Sequence, residues 1–154
     1  MPTINLADHG LAVLPQPDQK ALAELADAGV KTVINLRHDN EDAMPMSIQE
    51  EGEACEALGM DYISLPMSLR PPEDGGADGK LATAYETVLT AAREAGPVAV
   101  HCKLGQRAGA MVLIALARYR GWDADTALEA ANELGLGDAI RPDKLRAYVA
   151  GCLG

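Results

Sequence analysis

The chain has 154 residues, 48% of them hydrophobic, enough for one ordinary domain with a real core. Its 23 acidic and 13 basic side chains leave a formal charge of -10, which repels nucleic acid and anionic membrane surfaces and excludes long-range attraction of a polyanion. A single domain over residues 1–154 is expected, and any anion site in it must be local.

The opening MPTINLADHG lacks the basic and apolar regions of a secretory signal, and no run approaches the twenty or so apolar residues of a membrane span. A cytoplasmic protein is expected. Residues 17–28 (PDQKALAELADA) place Ala21, Leu22, Leu25 and Ala28 at helical spacing, with Pro17 suited to a first turn and Gly29 to a stop. Residues 31–36 (KTVINL) form a β-branched strand, and the cluster RHDNED after it reads as a polar turn holding His38, Asp39, Asn40, Glu41 and Asp42. In residues 47–58, Ser47 and Glu50 make the reciprocal capping pair of a helix that Gly59 ends.

Residues 61–66 (DYISLP) predict another strand, followed by a Pro-, Gly- and acid-rich loop, MSLRPPEDGGAD, in which Arg70 reads as a surface residue. Residues 79–95 carry Leu81, Tyr85, Val88, Leu89 and Ala92 on one helical face, with Asp78 as its N-cap. Gly96-Pro97 separates that helix from a strand over residues 98–101. Residues 108–119 (AGAMVLIALARY) predict a helix buried on most sides, with Tyr119 and the following Trp122 structural. Residues 123–134, capped by Asp123 or Asp125, and residues 141–149 predict two more helices.

Short apolar strands alternating with helices give an α/β fold: a central, mostly parallel sheet of four to five strands flanked by helices. Ligands in such sheets sit beyond the carboxyl ends of the strands. Three scattered cysteines, Cys55, Cys102 and Cys152, make no disulfide framework and fit a reducing compartment. Cys55 reads as core. His9, His38 and His101 show no metal-ligand spacing, so no metal and no cofactor are expected. Aromatic residues amount to 3%, too few for a stacking platform on single-stranded nucleic acid.

The chemistry concentrates in VAVHCKLGQRAG, residues 98–109. A strand end running through a glycine-bearing loop into a helix turns backbone N–H groups inward at the positive end of the helix dipole, an anion-binding shape. Those amides and Arg107 favour the thiolate of Cys102, which is a nucleophile. Arg107 adds a planar, permanently charged fork for two oxygens of a phosphoryl group, and Gly105 permits the tight turn. His101 sits behind the nucleophile as a support for the loop, not as a base. Each residue alone reads as a turn former, a core thiol or a surface cation; their joint occurrence at one junction makes a site.

HCKLGQRAG resembles the signature of the cysteine-dependent protein tyrosine and dual-specificity phosphatases, which is His-Cys, five residues, Arg, then Ser or Thr. It is most similar to the bacterial branch related to beta-lactamase-hydrolase-like proteins, in which only four residues separate Cys and Arg. KTVINLR, DYISLPM and VAVHC, in that order, are similar to the family's successive strands. The resemblance implies a three-layer phosphatase fold and a phosphorylated protein or small phosphomonoester as substrate, hydrolysed in two steps. Cys102 would attack phosphorus, and Arg107 and the amides of Lys103, Leu104, Gly105, Gln106 and Arg107 would hold the oxygens. The acid would come from the acidic loop, Asp74 first, then Asp78, which is occupied as a cap, then Glu73. Ala108 stands where the family carries a hydroxyl. Two alternatives remain. Rhodanese-like sulfurtransferases share the Cys-to-Arg spacing, and the missing hydroxyl suits a non-catalytic phosphate- or phosphopeptide-binding module.

Overall fold

The computed structural model describes residues 4–6, 10–39, 41, 44–67 and 81–153, with residues 4–6 and 81–83 described by their backbone alone. Five strands form one sheet: β1 (Ile4–Leu6), β2 (Leu11–Leu14), β3 (Thr32–Asn35), β4 (Asp61–Ser64) and β5 (Val98–His101). Their spatial order is β1-β2-β5-β3-β4; β2, β5, β3 and β4 run parallel, and β1 pairs antiparallel with β2 at the edge. The fold is the mostly parallel α/β sheet that the sequence predicts. The β1–β2 hairpin is the part it leaves unassigned, because INL and LAVL are too short to carry a readable period.

Alternation along the strands divides the core into two layers. Leu11, Val13, Ile34, Val98 and Val100 face one cluster, while Ala12, Leu14, Val33 and Ala99 face the other. The first layer is covered by α3 (Leu81–Glu94), α4 (Gln106–Arg120), α5 (Ala124–Glu133) and α6 (Asp143–Leu153), and the second by α1 (Gln19–Asp27) and α2 (Ile48–Ala57). This alternation decides the site. His101 continues the face of Ala99 toward α2, whereas Cys102 belongs to the opposite cluster.

Local capping sets the helix starts. Asp18 accepts from the N–H of Ala21, and Ser47 and Glu50 make both bonds of the capping box. Asp123, rather than Asp125, caps α5 by accepting from Thr126. Asp78 lies outside the described residues. The last helix runs to Leu153, four residues past the predicted end, because Val149 and Cys152 extend the stripe that packs against α4. Residues from Ala108 to Ala117 of α4 are all buried, but Tyr119 is 64% exposed and is no core residue. Trp122 lies under the guanidinium of Arg120, 5.9 Å from ring centre to cation. Among the described residues no helix is long and apolar enough to cross a membrane.

Gly109 fixes how closely α4 approaches the chain after α5. A Cβ there would stand 2.7 Å from the Cβ of Ala139, closer than real methyl groups come. Gly109→Ala is therefore expected to lose about 1 to 3 kcal/mol of stability by overpacking, despite alanine's better helix propensity. Urea unfolding checks it: the double variant Gly109→Ala/Ala139→Gly should recover most of the loss, and a single variant as stable as the parent would refute the contact.

Candidate active site

Three parallel strands deliver the site at their carboxyl ends. Leu14 pairs with His101 and Asn35 with His101 across β2, β5 and β3, so the residues that follow each strand gather at one edge of the sheet. Gln16 follows β2, Arg37 follows β3 and Cys102 follows β5.

The loop from Cys102 turns at Gly105, whose φ of 91° is the left-handed region where a side chain is strained. That turn brings the N–H of Gly105 to 3.2 Å from Cys102 Sγ, so the backbone donates to the sulfur. It also starts α4. The N-termini of α1, α2 and α5 each carry a capping side chain, whereas Gly105 supplies none, leaving first-turn amides of α4 to another acceptor. Cys102, Lys103, Leu104, Gln106 and Arg107 line one cleft of about 490 Å³ with Glu41 and Lys144.

Glu41 holds Arg107. Its carboxylate accepts from both terminal nitrogens, Nη1 at 2.9 Å and Nη2 at 2.7 Å, and Nη1 also donates to the carbonyls of Met67 at 3.1 Å and Leu36 at 3.4 Å. A guanidinium has five donors, and among the described residues Glu41 and the two carbonyls take both hydrogens of Nη1 and one of Nη2, leaving Nε and the other Nη2 hydrogen to the cleft that Cys102 shares. The Arg107 bond, foremost, holds Glu41 down at about 2, with burial opposing and the His38 amide helping. Arg107 is in turn pushed up, first by Glu41, and the charge on Cys102 adds to that effect.

Behind the loop, His101 is fully buried, and its Nε2 lies 2.6 Å from Oε2 of the equally buried Glu51 on α2. A carboxylate accepts, so the ring donates from Nε2. Its Nδ1 has no partner among the described residues, and the ring is oriented by Glu51 rather than by bonds to the loop backbone. Glu51 Oε1 accepts from Gln16, whose side-chain oxygen accepts from Arg37 at 2.9 Å, and Arg37 donates to Glu41 at 3.2 Å. Gln16 also donates its backbone N–H to the carbonyl of Lys103. An unbroken chain of side chains thus joins His101 to Arg107.

Of the residues singled out from the sequence, the structure places Cys102, Lys103, Leu104, Gln106 and Arg107 along the cleft, Gly105 at the turn between them and His101 on the far side, against Glu51. Asp74, Asp78, Glu73 and Arg70 lie outside the described residues, as do Asn40 and Asp42. Sequence reasoning missed Gln16, Arg37 and Glu51, and read Glu41 as part of a polar turn. The turn is real, since Glu41 also accepts from the N–H of His38 at 2.7 Å, but the carboxylate faces the cleft. Arg37 carried one usable signal, its place directly after a strand, with a fully buried side chain as the outcome. Cys55 is core as expected, its thiol pushed up to about 12 by burial and by the charge of Glu51.

A sheet of this order, closed by a strand-to-helix loop with a thiol and a guanidinium in one cleft, defines an anion site of the cysteine-phosphatase kind. The chain belongs to the family of the beta-lactamase hydrolase-like protein, phosphatase-like domain, whose profile matches residues 4–119. A beta-lactamase hydrolase-like protein of Agrobacterium fabrum is 35% identical over 98 residues, 64% of this chain and 21% of that protein. The dual specificity protein phosphatase TpbA of Pseudomonas aeruginosa is 29% identical over 136 residues, 88% of this chain and 56% of that protein. The chain thus spans between a fifth and about half of the curated relatives it matches. The crystal structure of P. aeruginosa TpbA matches with a TM-score of 0.67 at 27% identity over 92% of this chain and 79% of that one. A cysteine-to-serine variant of TpbA has been solved with phosphotyrosine. Tk-PTP shares the fold, with a TM-score of 0.74 at 21% identity over 95% of this chain and 91% of that one.

Because Glu41 sits at about 2 when folded against an ordinary 4.5, its contribution is complete above pH 4.5 and is lost as pH falls toward 2. Glu41→Gln should therefore cost about 2 kcal/mol near neutrality, the worth of charge-assisted hydrogen bonds. In urea titrations the gap to the parent should narrow steadily once pH drops below 4.5. A gap that is constant with pH would show that the carboxylate's charge does not matter.

Proposed function

We propose that the chain hydrolyses phosphate monoesters through a cysteinyl-phosphate on Cys102. One observation carries this reading: the Gly105 amide on Cys102 Sγ stands in the same cleft as the oriented Arg107, so a nucleophile and a phosphoryl clamp face one ligand. The phosphotyrosine bound by the TpbA variant supports a phosphomonoester in this cleft.

In the first step the thiolate attacks phosphorus. The S–P bond forms as the ester P–O bond breaks, and the leaving oxygen takes a proton from an acid in the acidic loop. Asp74 is the first choice, ahead of Asp78 and Glu73. The free edge of Arg107 and the uncapped amides of α4 hold the three peripheral oxygens where charge develops. Water then attacks phosphorus and returns a proton to the carboxylate of the acid, the S–P bond breaks, and the thiolate and phosphate are released. Ala108 is buried and offers no hydroxyl to ease departure of the sulfur, so this second step is the slow one. All three cysteines are free and buried, which supports a reducing, cytoplasmic setting for the thiol.

Purified protein should release phosphate from a small aryl phosphate without added metal, and Cys102→Ser should lower kcat by at least about a thousandfold. Equal rates for the two proteins would end this reading. Rapid mixing should show a burst of about one phenolate per enzyme before steady turnover, because the phosphoenzyme accumulates. Asp74→Asn should slow the burst itself by about a hundredfold or more; an unchanged burst moves the acid to Asp78 or Glu73.

A further inference from the structure

The cleft around Cys102 is larger and more cationic than one phosphate requires. Its volume of about 490 Å³ falls in the range of small-molecule sites, while a single phosphoryl group is already held by the loop and Arg107. The chain holds only five lysines against 23 acidic residues, yet two of the five, Lys103 and Lys144, line this cleft. In a protein of charge -10 such a concentration of cations opposes the global field and serves a local anion.

Lys144, like His38 on the same cleft, has no part in the proposed mechanism. It stands in the first turn of α6, beyond the residues 4–119 that match the family, and lines the cleft. It is exposed and has no partner among the described residues, so neither fold nor capping accounts for its place. Leu104, 54% exposed, lines the same cleft and supplies it with an apolar surface.

We propose that Lys144, with Lys103, forms a second anion subsite, and that the substrate is a small molecule carrying two phosphates joined by a short carbon framework. The phosphate to be cleaved lies against Cys102 and Arg107, the second meets the two ammonium groups, and Leu104 covers the carbon between them. This rests on the phosphatase reading above and deepens it by naming the substrate class.

The test compares phenyl phosphate with 1,4-phenylene bisphosphate, both aryl phosphate esters, which differ by the second phosphate on the departing aryloxide. The bisphosphate should be favoured in kcat/KM by about tenfold, the scale of one hydrogen bond between charged groups, and the preference should shrink at high salt. Lys144→Ala should bring the ratio of the two kcat/KM values close to unity, Lys144→Arg should keep it, and Lys20→Ala, a lysine on α1 outside the cleft, should leave it as it was. A ratio near one in the parent protein, or one that survives Lys144→Ala, overturns the subsite. Calorimetric binding of both compounds to Cys102→Ser separates this result from failure of the phosphatase reading. Tighter, Lys144-dependent binding of the bisphosphate upholds the subsite even without turnover, and equal binding of the two compounds overturns it.

Discussion

The site depends on a run of buried polar side chains that binds three strand ends together. Two fully buried charged groups, Arg37 and Glu51, stand at an edge of the sheet where water cannot solvate them. Such groups are costly unless every one of them is paired, and here each has a partner on a different element. Glu51 reaches across from α2 to His101 and Gln16, Gln16 reaches Arg37, and Arg37 reaches Glu41. Removing any member leaves a buried donor or acceptor unmatched, so the run behaves as a unit rather than as separate bonds. The loop that carries Cys102 inherits this rigidity, because Gln16 also binds the Lys103 carbonyl.

The local features of the chain were legible in its sequence for a simple reason: they are decided within one turn or one strand. Ser47 and Glu50 form their capping box from neighbours three residues apart, and the apolar runs of β3 and β5 announce buried strands. The HCKLGQR loop is likewise local, with all of its parts on one junction. The polar run is the reverse case. Glu51 lies 50 residues before His101, and Arg107 lies 66 residues after Glu41, so their pairing appears only when β5 is seen to sit between β2 and β3. Strand order is a long-range property. Periodicity gave no hint that a glutamate in the first turn of α2 faces inward to a histidine.

Glu41 shows how a correct local reading hides a second role. A polar cluster after a strand is a turn, and the backbone bonds between His38 and Glu41 confirm it. The same turn aims the carboxylate back over the sheet edge, where it meets two arginines at once. One short segment thus supplies both a chain reversal and the partner that fixes the guanidinium. His101 repeats the lesson: its place on the strand face opposite Cys102 follows from alternation alone, but the group that orients it comes from another helix.

The orientation of Arg107 has a consequence for how an oxyanion is met. A free arginine side chain would lose rotamer freedom on gripping a ligand, a cost that falls on binding. Here Glu41, on Nη1 and Nη2, and two carbonyls, on Nη1, have already taken that freedom. Among the described residues the edge left over is the planar Nε–Nη2 fork, the geometry suited to two oxygens of one group. A carboxylate so near the ligand would repel it were it alone, but Arg37 on Oε1 and Arg107 on both oxygens outnumber its single charge. The local sum is positive while the protein as a whole is negative, and preorganised dipoles and charges of this kind act at short range without rearranging as the reaction proceeds.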